Sequence, residues 1–349
     1  MASLARAKVF DSSEIVAARV LSFVLCAVLF SLAGCEPSPL GASKPNVKAK
    51  VSKLRIAVIP KGTSHQFWRS VHAGAEAGAK ELGDVEVLWK GPETEADTAG
   101  QIAVVKNFIT NRVDGIVLAP NHSQSLMDVV SEANAENIPV VIFDSGLGKG
   151  PKLVSYVATD NHRGGVLAGE CLADAIGHQG KVIMLRYNPG SESTAQREEG
   201  FLEAMAKEKG IEVLSSDQYA GTKTEEALAK ATQLLNKYRD QVTGIFAVCE
   251  PNCNGVLEAL VQTGLASKVK FVAFDPSDTL IRGMSEKTVA GIMLQDPFEM
   301  GRQSVLALTK HIRKEAVEPI ISTGEYVATP ENQAKSPYDR LLRPAQHGQ

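Results

Sequence analysis

Six short stretches of this 349-residue chain carry side chains that could do chemistry. Pro60-Lys61-Gly62-Thr63-Ser64-His65-Gln66-Phe67-Trp68 sets an ammonium, an imidazole and two adjacent aromatics close together. Phe143-Asp144-Ser145, Cys249-Glu250-Pro251-Asn252, Phe274-Asp275-Pro276-Ser277-Asp278 and Leu294-Gln295-Asp296-Pro297 each place polar heads directly after an apolar run. Glu192-Ser193-Thr194-Ala195-Gln196-Arg197 adds a guanidinium. Asp, Asn, Gln and Arg have planar heads that hold two neighbouring hydroxyls at once, and the charged ones make the stronger bonds. An aromatic face stacks on the C–H face of a sugar ring. The chemistry of this set is therefore recognition of a small polyhydroxylated ligand. The candidate contacts are Lys61, His65, Phe67, Trp68, Asp144, Arg197, Cys249, Asp275 and Gln295.

Each has a plainer reading. Adjacent aromatics are poorly explained by core packing, which spaces apolar residues by three or four, yet Phe67 or Trp68 could still be core. Lys61 can be a solvated loop charge, His65 a helix-start imidazole and Arg197 an exposed surface residue in the first turn of a helix. Asp144 and Asp275 can be helix N-caps. Asp296, just before Pro297, reads as a cap rather than a contact.

Catalysis finds no residue to rest on. There is no Gly-x-Ser-x-Gly elbow and no phosphate loop, and Gly146-Leu-Gly-Lys-Gly150 is too short for a dinucleotide fingerprint. Zinc is not expected, since no His or Cys pair with ligand spacing is joined by a third and fourth ligand, and His65 and His72 are seven apart. No cofactor is expected. Five cysteines are too few for a disulfide-built scaffold. Cys249 and Cys253, four apart, form either a small-loop disulfide or two unpaired thiols, one of them at the ligand site.

The elements that must position these residues alternate regularly. Strands are expected at Leu54–Ile59, Val85–Leu88, Gly115–Leu118, Pro139–Phe143, Val154–Val157, Lys181–Leu185, Glu212–Leu214, Gly244–Val248 and Lys270–Phe274. Helical spacing falls at 66–82, 98–111, 123–136, 164–176, 195–209, 224–238 and 255–264. Continuous Val/Ile/Leu runs separated by helices imply parallel sheets covered on both faces. The expected fold class is α/β, with two doubly wound parallel-sheet lobes. Ligands bind beyond the carboxyl ends of such strands, where every candidate above lies. The length suits two domains. A hydrophobic share of 44% and a charged share of 22% are ordinary for a globular chain. A net charge of −3 offers no basic field for nucleic acid. With aromatics at only 5%, the pair at 67–68 carries extra weight.

The beginning of the chain reads as an address. Residues 20–33 form an apolar run preceded by Arg6, Lys8 and Arg19, the length and polarity of a signal-peptide core. Leu32-Ala33-Gly34-Cys35 follows and looks like a bacterial lipobox, in which Cys35 takes up a diacylglycerol and becomes the new N-terminus. The plainer reading is an uncleaved anchor helix with a chance cysteine. Asp11 and Glu14 make the leading segment unusually mixed. Residues 35–53 read as a flexible tether. After residue 35 there is no 18-residue apolar run, which excludes a polytopic membrane protein.

Several of these motifs together resemble one family. Ile-Ala-Val-Ile-Pro-Lys with Phe67-Trp68, Ile-Pro-Val-Val-Ile-Phe-Asp144 and Ala158-Thr159-Asp160-Asn161 before Gly164-Gly165 belong to its pattern. So do Arg197 ahead of Gly200-Phe201, Val-Ala-Phe-Asp275 and Gln295-Asp296-Pro297. Over roughly residues 54–335 the chain resembles the ribose-type periplasmic sugar-binding proteins of ABC transporters, the type 1 periplasmic binding protein fold. The resemblance implies a three-segment hinge near Val157–Thr159, Gln295–Pro297 and Gly324–Val327. It implies an N-terminal lobe of 54–157 plus 296–325, a C-terminal lobe of 158–295 plus 326–335, and a tail of 336–349; as a chain terminus, residues 343–349 are expected to be disordered. It implies ligand contacts at Phe67, Trp68, Asp144, Arg197, Asp275 and Gln295. Where the family carries an asparagine this chain has Cys249, and where it carries an arginine after the aspartate it has Ser145. The expected protein is a lipid-anchored monomer of the periplasm or cell envelope that passes a small sugar to an ABC permease. A second relative within the fold is the receptor for the furanosyl signal autoinducer-2. Ile59-Pro60-Lys61, Gln66-Phe67-Trp68 and Lys90-Gly91-Pro92 are similar to it, and Lys61 and Asp144 fall on its contact positions. That relative implies signalling rather than uptake.

Overall fold

The computed structural model describes residues 53–347. The expected signal peptide, the lipidation site Cys35 and all but the last residue of the tether lie outside the described residues. Twelve strands and ten helices follow in order among those described. The first series is β1 (Leu54–Ile59), α1 (Gln66–Leu82), β2 (Val85–Trp89), α2 (Thr98–Thr110), β3 (Gly115–Leu118), α3 (Met127–Ala135), β4 (Val140–Phe143) and β5 (Ser155–Ala158). The second is α4 (Asn161–Ala175), β6 (Gly180–Leu185), α5 (Glu192–Lys207), β7 (Ile211–Ser215), α6 (Thr224–Lys237), β8 (Gly244–Ala247), α7 (Glu250–Gln262), β9 (Lys270–Phe274), α8 (Asp278–Ser285) and β10 (Val289–Leu294). Then come α9 (Pro297–Ile312), β11 (Ile320–Ser322), β12 (Tyr326–Ala328) and α10 (Tyr338–Leu342).

The strands make two six-stranded sheets, ordered β11-β5-β4-β3-β1-β2 and β12-β10-β9-β8-β6-β7. All pairings are parallel except that of β12 with β10. The apolar runs have a direct cause in this layout. Side chains alternate across a strand, so Ile56 and Val58 enter one core of the first lobe while Ala57 and Ile59 enter the other. In the second lobe Ile183 and Leu185 face one core, and Val182 and Met184 the opposite one. Both faces are covered, so neither can be polar.

The same helix contact closes each lobe. A Cβ on Gly74 of α1 would overlap the carbonyl oxygen of Phe298 in α9, and one on Gly301 would overlap that of Val71. In the second lobe Gly165 of α4 meets the carbonyl oxygen of Arg197 in α5, and Gly200 that of His162. Backbone lies against backbone at both crossings, which only glycine permits.

The chain passes between the sheets three times, after β5, after β10 and between β11 and β12. Two of the crossings are stitched together. Thr323 N–H donates to the Ala158 carbonyl at 3.0 Å, and the Thr159 hydroxyl donates to the Gly324 carbonyl at 3.1 Å.

Some expectations shift. The helix expected from 123 begins at Met127, because the preceding backbone is spent elsewhere: Ser123 N–H donates to Gly190 O and Gly148 N–H to Ser123 O. Helix α7 starts at Glu250, five residues before its expected start, since Pro251 fits a first helical turn where no intrahelical N–H bond is needed. The expected tail is a correction: Tyr338–Leu342 is an α-helix, Pro344–His347 a 3-10 turn, and Leu341 and Leu342 are buried in a core of the second lobe. Residues 348–349 lie outside the described residues. Among those described, no helix is long and apolar enough to cross a membrane.

Candidate functional site

All nine candidate contacts border one cavity between the lobes. Lys61, His65, Phe67, Trp68 and Asp144 enter it from the first lobe, Arg197, Cys249 and Asp275 from the second, and Gln295 from a crossing. All but Arg197, which lies in the second turn of α5, follow the carboxyl end of a strand or stand at the start of a helix, as the parallel sheets require. The cavity encloses about 40 Å³, room for roughly three waters.

Asp144 and Asp275 hold equivalent places after β4 and β9, and both adopt left-handed backbone, with φ of 60° and 66°. Non-glycine residues rarely do so, and such strain concentrates at functional sites. Each is pinned by its own N–H, Asp144 to Val157 O at 3.0 Å and Asp275 to Met293 O at 2.9 Å. Neither caps a helix: Ser277 caps α8, and Asp296 caps α9 through Glu299 N–H while pairing with Arg340 at 2.7 Å.

Two charges of the first lobe pair at the edge of the cleft. Lys61 Nζ lies 2.8 Å from Asp144 Oδ2 and donates to Ser193 Oγ at 3.0 Å in the opposite lobe. In the second lobe Arg197 is fixed on every side. Its Nε donates to Asn161 Oδ1 at 2.8 Å, one terminal nitrogen donates to Val248 O at 2.9 Å and lies 3.6 Å from Asp275 Oδ2, and its plane covers the Phe274 ring at 3.8 Å. Arg197 is thus buried in the second turn of α5, not exposed in a first turn. Gln295 Nε2 donates to Asp275 Oδ1 at 2.7 Å, leaving Gln295 Oε1 buried without a partner. Burial pushes the Asp275 carboxyl up, with Arg197 opposing.

Trp68 belongs both to the first-lobe core and to the cavity wall. It is 3% exposed, packs edge-on against Phe143 in the first-lobe core, and donates from Nε1 to Glu95 Oε1 at 2.8 Å. Successive helix residues point about 100° apart, so Trp68 turns to the sheet while Phe67, edge-on to it at 4.9 Å, stays half-buried beside the cavity. His65 Nε2 is 3.7 Å from Glu95. Of the two cysteine alternatives, the disulfide falls. Both thiols are free. Cys249 is the N-cap residue of α7 and its thiol donates to Asn252 Oδ1, whereas Cys253 donates to Phe274 O and accepts from Phe274 N–H beneath β9. Burial pushes both thiols up.

Five further residues with polar side chains line the cavity and were not among the candidate contacts: Glu95, Tyr187, Ser193, Thr194 and Glu250. Tyr187 follows β6, so the strand-end rule reaches it. Its hydroxyl donates across the cleft to Glu95 Oε2 at 2.7 Å, and its N–H donates to Glu198, itself paired with Arg186. Glu95 sits mid-loop, where no periodicity marks it. Two more bonds cross nearby: Gly146 N–H donates to Glu192 Oε2 at 3.0 Å and Ser193 N–H to Ser145 Oγ at 3.1 Å. Ser145, standing for the family's arginine, thus joins the lobes.

Comparison with known proteins agrees with this geometry. Residues 56–316 match the periplasmic binding protein domain family. The chain is 30% identical over 269 residues to the ribose import binding protein of Escherichia coli strain K12, covering 77% of this chain and 88% of that one. A carbohydrate transporter solute-binding protein from Agrobacterium radiobacter, solved with D-arabinose, superposes with a TM-score of 0.79 at 31% identity, over 83% of this chain and 99% of its own. An ABC transporter solute-binding protein from Agrobacterium vitis with bound D-fucose gives 0.80 at 31% identity, over 82% and 99%. The resemblance read from the motifs holds, and the chain belongs to the periplasmic binding protein domain family, with its two-lobed type 1 fold.

Proposed function

We propose that this protein captures a small sugar between its lobes and delivers it to an ABC importer, held at the membrane by a lipid on Cys35. The observation that carries the reading is the convergence of Asp144, Arg197, Asp275 and Gln295, planar polar heads from both lobes and a crossing, on one cavity. The relatives named above, a ribose import binding protein and two solute-binding proteins solved with D-arabinose and D-fucose, support the ligand class. The leader and the lipobox support the anchor. A cavity this small admits a sugar ring only when the lobes part. Ligand bound to both lobes then favours the closed form by its greater affinity for it. In a dry cleft each of those heads left unpaired costs about 1–3 kcal/mol, which is how the site rejects sugars with a misplaced hydroxyl. The protein acts as a monomer in the cell envelope.

The test is a thermal-shift screen of the purified protein against pentoses, hexoses, sugar alcohols, disaccharides and autoinducer-2, beside Asp275→Asn. A ligand at a hundred times its dissociation constant adds about 2.7 kcal/mol. One sugar that raises the midpoint, and loses that effect in the variant, is the expected result. Silence from every sugar would sink the ligand class. The buried Lys61–Asp144 pair at 2.8 Å favours a second reading, an autoinducer-2 receptor acting in signalling. A shift with that furanosyl compound alone would select it. Radiolabelled palmitate carried by the native chain and absent from Cys35→Ala is the result expected for the anchor.

A further inference from the structure

We infer that the sugar for which this cleft is built carries a protonated amine, and that Glu250 is the carboxylate that receives it. The inference rests on the sugar-binding reading above and narrows it to amino sugars.

The cavity's charges do not balance. Four carboxylates border it, Glu95, Asp144, Glu250 and Asp275, against two permanent cations, Lys61 and Arg197. Both cations are committed, Lys61 to Asp144 at 2.8 Å and Arg197 toward Asp275 at 3.6 Å. Glu95 is served by Trp68 Nε1, the Tyr187 hydroxyl and His65. Glu250 alone lacks an equivalent. It receives the backbone N–H of Phe67 across the cleft, while its Oε2 is buried with no partner. Other charges facing it are Asp275 and Glu95, both repulsive, and Arg69, on an exposed position of α1. Burial first, then Asp275, pushes its carboxyl up to about 7. The first turn of α7 pulls the other way, since aligned peptide dipoles favour a negative charge there. Glu250 is therefore poised to ionise once a cation arrives.

A second observation points to the same kind of ligand. Gln295, 3% exposed on the same cavity wall, has its Oε1 unpartnered. Two unused acceptors in one cavity call for a ligand rich in donors. An ammonium supplies three N–H groups and the missing charge, whereas the hydroxyls of a neutral sugar can donate to both acceptors yet bring no charge to balance a buried Glu250 carboxylate. An anionic sugar adds a fifth negative charge.

The test compares matched pairs by calorimetry at pH 7: D-glucosamine with D-glucose, D-galactosamine with D-galactose, and 1-amino-1-deoxy-D-fructose with D-fructose. N-acetylglucosamine, D-glucuronate and D-ribose 5-phosphate complete the set. At least one amine is expected to bind tenfold or more tightly than its hydroxyl partner, with proton release visible as a dependence of the heat on buffer. In Glu250→Gln the ratio within that pair should fall to threefold or less. Should that variant fail to fold, the amine against its N-acetyl form in the native protein reads the same preference. Neutral sugars binding as tightly as their amines, or glucuronate or ribose 5-phosphate binding as tightly as either, would overturn the inference and leave the sugar-binding reading standing. Silence from every compound would sink both.

Discussion

Lys61 Nζ and Asp144 Oδ2 stand 2.8 Å apart at the ends of β1 and β4, strands separated in their sheet by β3, with both side chains 95% buried. Burying two charges is repaid only when each keeps its partner. Asp144→Asn strands the ammonium and should cost about 3–5 kcal/mol. The double variant Lys61→Met, Asp144→Asn removes both charges while keeping a side chain that tolerates the left-handed backbone at 144, and should cost clearly less than the single one. Urea unfolding of the native protein and both variants measures this, and a double variant less stable than Asp144→Asn would contradict it.

The glycine crossings give a stability prediction that reaches the site. Gly165→Ala places a methyl against the carbonyl of Arg197 and must move α5. Overpacking of this kind costs about 1–3 kcal/mol or more, and ligand affinity should fall with it because Arg197 rides on that helix. Gly177→Ala is the control. Its φ of 67° disfavours a side chain, but nothing lies within 4 Å of the added carbon. It should cost about 1–2 kcal/mol and leave affinity unchanged.

Glu250 makes stability depend on pH in a known direction. Its folded pKa, raised to about 7 by burial, exceeds the ordinary value of 4.5. The folded chain therefore holds a proton that the unfolded chain gives up between those values. The contribution is intact below pH 4.5 and lost as pH rises through 7, on the order of 3 kcal/mol in all. Glu250→Gln should gain on the native protein by that amount between pH 4 and pH 8. A difference independent of pH, followed by chemical denaturation, would refute it.

The two buried thiols predict a mass. Alkylation of the denatured, unreduced protein should add a label to both Cys249 and Cys253 on the peptide that contains them. In the native protein both should resist labelling longer than half-buried Cys171, since burial removes access and suppresses the thiolate.

The strands were legible because a parallel sheet covered on both faces leaves no polar option, so Ile56 to Ile59 announce themselves. The site residues that follow strands directly, Asp144, Asp275 and Gln295, were legible for the same reason. Trp68 borders the core and the cavity at once, because a helix's first turn sends one aromatic toward the sheet and its neighbour toward the cleft, a division that adjacency in sequence does not reveal. Glu95 was invisible, since a long loop carries it to the cavity and only tertiary contacts say so. The C-terminal helix was missed because five residues have no readable period. What buries Leu341 and Leu342 is a lobe built from distant sequence.

The discontinuity of the lobes has a consequence for synthesis. Helix α9 and strand β11 complete the first lobe, and β12 the second, yet all three lie beyond residue 296. The nascent chain therefore cannot finish either half until most of it has left the ribosome. Val71 and Ala75, which α9 covers, wait for partners more than 200 residues downstream. A polypeptide that stays incomplete this long can be threaded across a membrane before it is too compact to pass.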